Sequence, residues 1–95
     1  MALMDDGRLL KLPVYTKSGM HLGKVAGFEF EIEAQIITHY RVRPKGLSAR
    51  ILRQPLLIAR EQVISISEEK MVVDDNVEKA MELEKAKAMG LVANS

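Results

Sequence analysis

Residues 16 to 25 read Thr-Lys-Ser-Gly-Met-His-Leu-Gly-Lys-Val, and this stretch constrains the fold most strongly. An apolar run of Leu10, Leu12 and Val14 precedes it, and the strand-forming residues Phe28, Phe30 and Ile32 follow it. Gly19 behind Ser18 suits a tight turn, because a residue without Cβ takes φ > 0 at no steric cost. Gly23 lets a second backbone come close where the new strand begins. The stretch predicts a β-hairpin whose second strand runs long. It carries no catalytic group, so it speaks to architecture rather than to an activity.

The flanking pattern extends this reading. Leu10, Leu12 and Val14 alternate with Lys11 and Pro13, the period of a half-buried strand. Pro13 has no N–H to give to a ladder, so this strand lies at an edge or begins irregularly there. Lys17 to Met20 is the turn, and a strand follows from about residue 22 to 32. Val25 is out of phase with Phe28, Phe30 and Ile32. A β-bulge at Gly27 restores one face and leaves Glu29, Glu31 and Glu33 pointing outward. After a reversal at Glu33-Ala34-Gln35, Ile36, Thr38, Tyr40 and Val42 form one face of the next strand, with Ile37, His39 and Arg41 on the other. Residues 43–55 read as irregular. Short strands follow at 56–59, 63–67 and 71–73, the last two joined by the polar turn Glu68-Glu69-Lys70. Many short strands with close turns predict a closed or nearly closed, mostly antiparallel β-barrel over about residues 8–74. Its expected core is Leu12, Val14, Val25, Phe28, Phe30, Ile32, Ile36, Tyr40, Val42, Ile64 and Ile66.

The end of the chain changes character. Asp74, Asp75 and Asn76 offer N-cap side chains, residues 77–89 lack Gly and Pro, and Gly90 supplies a stop. One helix is predicted over about residues 75–90. Val77, Ala80, Met81, Ala88 and Leu91 fall on one stripe, interrupted by Glu84, while Leu83 and Met89 lie off it. A small barrel covers one stripe but hardly a whole helix. Leu83, Met89 and Leu91 are therefore the expected self-association residues, in a homodimer through this helix or the barrel edge.

Ninety-five residues make a single domain with one modest core. Trp is absent and six residues are Met, so that core is aliphatic and Met-rich. Without Cys there is neither disulfide nor thiolate chemistry. No run of 18 apolar residues spans a membrane, and Ala2-Leu3-Met4 is too short for a signal-peptide core. A cytoplasmic location with no membrane insertion is expected.

The net charge of +1 conceals an asymmetry. Residues 41–60 hold Arg41, Arg43, Lys45, Arg50, Arg53 and Arg60 with no Asp or Glu, whereas residues 61–95 hold eight acids against four Lys. Arginine forks suit phosphate or carboxylate, so these six cations are the candidate partner-binding residues. Sequence-tolerant RNA binders add exposed aromatics for stacking, and the block has none. That favours a protein partner, with direct RNA binding as the alternative. His21 and His39 are read as surface residues, Asp74-Asp75 as a helix cap, and no ligand-spaced cluster predicts a metal. No nucleophile elbow or phosphate loop occurs, so no enzyme activity and no cofactor are expected.

Several of these segments together resemble the PRC-barrel family. The resemblance rests on Leu12-Pro13-Val14, Gly19, Leu22-Gly23-Lys24-Val25, Leu57-Ile58 with Val63 and Ile66, and Met71-Val72-Val73-Asp74, over about residues 8–75. It implies a stand-alone small member with a six-stranded β-barrel, here followed by a C-terminal helix. It also implies a non-catalytic adaptor. Relatives include the cytoplasmic part of the photosynthetic reaction-centre H subunit and half of an rRNA-processing factor that binds a ribosomal protein. Small members are linked to RNA metabolism and cell division. The resemblance thus points to ribosome assembly, RNA processing or cell division.

Overall fold

Alternating apolar and polar residues assemble into one six-stranded sheet in a computed structural model, which describes residues 3–52 and 54–90. The elements are α1 (Asp6–Leu9), β1 (Pro13–Thr16), β2 (His21–Glu31), β3 (Ile36–Pro44), α2 (Gly46–Ile51), β4 (Leu56–Ala59), β5 (Val63–Ile66), β6 (Met71–Val73) and α3 (Asn76–Ala88). A single 3₁₀ turn, Arg60–Gln62, joins β4 to β5. The strand order is β4-β3-β2-β1-β6-β5, antiparallel throughout except for the parallel pair β1–β6. The six strands fall where the sequence places them, to within a few residues at the start of β1. The short helices are additions, α2 lying inside the segment read as irregular. A helix of one or two turns has too few residues to display a period.

The hairpin turns as its glycines require. Gly23 pairs with Val14 on one side and Pro44 on the other. A Cβ on Gly23 would land on the carbonyl oxygen of Arg43, with the Arg43 carbon at 2.9 Å and Pro44 Cα at 3.0 Å. Pro13 is the first residue of β1, which lies between β2 and β6, so this strand begins irregularly and is not an edge. The predicted bulge is present. The register steps from Val25 opposite Val42 to Gly27 opposite Arg41, leaving Ala26 extra, and Phe28 then falls opposite Tyr40 on the face of Val25.

Leu12, Val14, Val25, Tyr40 and Val42 are buried as expected. Leu22, Ile58, Met71, Val73, Val77 and Met81 complete the core. Five expected core residues are instead exposed: Phe30 (52%), Ile32 (81%), Ile36 (38%), Ile64 (52%) and Ile66 (41%); Phe28 is partly buried. For Phe30 and Ile32 the reason is unequal strand length. β1 pairs with β2 only up to Lys24, and β4 pairs with β3 only from His39 onward, so the far end of the β2–β3 hairpin overhangs the core. At Ile36 a second register step, between Glu29 and Phe30, sets Ile37 opposite Phe30 and Ile36 opposite Glu31, so Ile37, expected on the outer face, packs against the core and Ile36 does not. On β5, the register shifts between Val63 and Ser65 around Ile64, and β5 ends the sheet.

The sheet does not close into the expected barrel. β4 and β5 are the two ends of the sheet, and among the described residues no ladder joins them. Val77 and Met81 of α3 enter the core beside β4 instead. Gln62 organises this corner: its side chain accepts the Ala59 N–H (2.9 Å) and donates to Asn76 Oδ1 (3.3 Å), and its carbonyl accepts the Asp74 N–H (2.8 Å).

Helix α3 starts on Asp74, whose Oδ1 accepts the Asn76 N–H at 2.9 Å, and stops before Gly90 at φ +72°. Its predicted stripe divides: Val77 and Met81 are buried, whereas Ala80 and Ala88 line a groove. Leu83 and Met89 remain exposed, and Leu91 lies outside the described residues. Asp75 does not cap the helix with its side chain; its Oδ1 accepts the Ser18 N–H at 3.0 Å, tying the β1–β2 turn to the start of α3. The Ser18 amide holds the Asp75 carboxyl below its ordinary value, helped by the Ser18 hydroxyl, Lys17 and Thr16. A depressed carboxyl stabilises the fold above the unfolded carboxylate range and loses that contribution as pH falls through the folded value. Asp75 is therefore expected to titrate below its unfolded value in a carboxyl-detected NMR titration. Asp75→Asn should remove its share of the acid-side stability loss; an unshifted Asp75 midpoint would contradict the contact.

Candidate interaction surface

The structure separates the six cations singled out by the sequence. Tyr40 and Val42 point into the core, so Arg41 and Arg43 between and after them point to the outer face of the sheet. Lys45 precedes α2 and Arg50 lies within it. Arg60 follows Ala59, which sits opposite His39, so Arg60 lies at the other end of the β3–β4 ladder from Arg43. Arg53 lies outside the described residues. Arg60 reaches Glu61 at 3.9 Å. Its charge partly offsets the burial that pushes the Tyr40 phenol up.

Arg41 also has a structural task. Its guanidinium lies over Gly27, where a Cβ would collide with it, and Nη1 donates to the Phe28 carbonyl at 3.2 Å. Gly27 therefore supplies space beside the bulge, and Arg41 satisfies a carbonyl there.

Arg43 has a neighbour that the sequence reading omitted. Lys24 sits directly opposite it across β2–β3, and Pro13 lies on the far side of Lys24. Beyond that rung on the same face is the pair Tyr15–His21, with ring centroids 4.6 Å apart and planes at 21°. Lys70 stands 5.6 Å from the centre of the Tyr15 ring. Two outward rungs of a sheet are about 7 Å apart along the strand, so Lys70, Tyr15, His21, Lys24, Arg43 and Arg41 share one outer surface. His21 is thus half-buried in a stack, with Nε2 3.1 Å from the Gly23 carbonyl. His39 lies 3.6 Å from Glu29. Tyr15 and Lys70 were missed because they meet only through the parallel pairing of β1 and β6. A lone Tyr in a short strand gives no local sign of that partner.

The overhanging end of the hairpin differs in chemistry. Phe30, Ile32 and Ile36 are exposed there, interleaved with Glu29, Glu31 and Glu33. Among the described residues no Lys or Arg comes within ion-pair distance of these three acids. A separate groove of about 780 Å³ runs between β4 and α3, with Leu52, Leu56, Leu57, Val77 and Met81 on its walls and Glu84 and Lys87 beside them. Among the described residues, no group of three or more His, Asp or Glu could hold a metal ion, and no helix is long and apolar enough to cross a membrane.

A six-stranded mixed sheet over one core, to which a C-terminal helix adds Val77 and Met81, defines a small β-sheet module. A family model for the PRC-barrel domain matches residues 1–80, and the chain belongs to that family. No curated protein matches the chain.

Proposed function

We propose that this protein is a non-catalytic adaptor that binds a protein partner through its β2–β3 hairpin and the adjoining cationic face. The observation that carries the reading is the mixture on that hairpin: exposed Phe30, Ile32 and Ile36 at one end, Arg41 and Arg43 toward the other. Apolar patches bordered by charge suit a protein interface. Glu29, Glu31 and Glu33 on the same element would repel a phosphate backbone. Family resemblance suggests ribosome assembly, RNA processing or cell division as the setting, in the cytoplasm.

Direct RNA binding is the second reading, and one observation favours it. The Tyr15–His21 stack beside Lys24, Arg43 and Lys70 supplies the rings that the basic block itself lacks. The charge-reversed double variant Lys24→Glu/Arg43→Glu separates the two readings. Under the adaptor reading, the intact chain captures a protein that survives nuclease treatment, and the variant loses it. Under the RNA reading, the intact chain binds generic single-stranded RNA with log K falling by about 0.7 per phosphate contact for each unit of log salt, and the variant flattens that slope.

A further inference from the structure

Strand β2 outruns its neighbour on one side. The last backbone bonds there run from the Lys11 N–H to the Val25 carbonyl (2.7 Å) and from the Val25 N–H to the Leu12 carbonyl (2.9 Å). Past them, residues 26–31 have β3 on one side and, among the described residues, no strand on the other. The Glu29 carbonyl faces β3, where the Thr38 hydroxyl donates to it at 3.4 Å, and the Glu31 carbonyl takes the Gln35 N–H at 2.8 Å. By alternation, the N–H and C=O groups of Phe28 and Phe30 face the open side. Such an edge is a template for another strand.

Its side chains indicate which strand. Phe28 and Phe30 are on the core-facing side, and Glu29 is on the outer side near His39. The Arg41 guanidinium is held over Gly27, and among the described residues no carboxylate lies within ion-pair distance of it. The edge thus carries an acid at Glu29 and, two residues earlier on the same outer face, a fixed cation.

We propose that this edge takes the same edge of a second copy of the chain, antiparallel, about a two-fold axis at Phe28. In that register Phe28 faces its own mate and Glu29 faces Gly27, so each carboxylate meets the Arg41 guanidinium that lies over that glycine. The Phe28 pair lies on the axis and occurs once, with two reciprocal backbone bonds, and the Glu29–Arg41 contact occurs twice. A carbonyl has two lone pairs, so the Phe28 carbonyl keeps its Arg41 bond and still accepts from the mate's Phe28 N–H. An axis at Glu29 would set Glu29 against itself, which like charges disfavour. The two sheets become one continuous sheet, and the exposed Phe30 gains cover. This dimer uses the sheet edge and leaves Leu83 and Met89 of α3 free; it occupies Phe30 and Arg41 and leaves Ile32, Ile36 and Arg43 of the hairpin for another partner.

Sedimentation of the intact chain at micromolar concentrations tests it. The expected species has twice the mass of one chain. Glu29→Arg and Arg41→Glu should each weaken association about tenfold or more, and the charge-swapped double variant Glu29→Arg/Arg41→Glu should restore it. Circular dichroism confirms that each variant is folded; should Arg41→Glu unfold through loss of its Phe28 bond, the exposed Glu29→Arg decides alone. A monomeric intact chain would overturn the proposal. So would a dimer indifferent to Glu29→Arg, or one that Leu83→Asp dissolves while Glu29→Arg does not.

Discussion

Trimming Ile58 to alanine is expected to lower the unfolding free energy by about 2–5 kcal/mol, while the same change at Phe30 costs about 1 kcal/mol or less. Ile58 is fully buried on β4 among the residues of the core, whereas Phe30 is 52% exposed on the hairpin overhang. The Ile58 side chain leaves a cavity that the surrounding strands fill only in part. At Phe30 most of the removed surface already faces water. A domain of this kind has about 5–15 kcal/mol of stability in total, so Ile58→Ala is a large fraction of it. Urea denaturation with a common m-value checks the pair. Equal losses at the two positions would mean that the hairpin end packs against the core after all.

Gly23→Ala is expected to be the more damaging of two glycine substitutions on the same strand. At Gly23 the new methyl group meets the backbone of Arg43 and Pro44, which cannot yield without parting β2 from β3. The cost is about 1–3 kcal/mol or above, the range of overpacking. At Gly27 the obstacle is the end of the Arg41 side chain, which can swing away at the loss of its bond to the Phe28 carbonyl. Thermal melts of Gly23→Ala and Gly27→Ala should therefore differ, with Gly23→Ala melting lower. A reversed order would contradict the close approach of β3 at Gly23.

Local patterns carried much of the fold, and the reasons are physical. The turn at Gly19, the bulge beside Gly27 and the end of α3 before Gly90 each depend on a residue and its immediate neighbours. A β-strand alternates its faces whatever else it meets, so Val14, Val25, Tyr40 and Val42 were legible as core from period alone.

Burial along a strand depends on how far the neighbouring strand reaches, and alternation says nothing of that. Phe30 continues the apolar alternation of β2, yet β1 stops short of it; Ile32 falls in the turn after β2, and a register step in the β2–β3 ladder sets Ile36 opposite Glu31. Met71 and Val73 sit in a three-residue strand too short to show a period, and the parallel pairing with β1 buries both.

The candidate surface followed the same division. A count of charge located the cations of residues 41–60 correctly along the chain. It could not separate Arg41, folded onto Gly27 and the Phe28 carbonyl, from Arg43, which faces Lys24, or from Arg60 at the far end of the ladder. Residue types, turns and strand faces are properties of neighbours in sequence. Which charges share a face, which apolar residues stay bare and where the sheet remains open are set by strand pairing over long separations, so only the tertiary structure decided them.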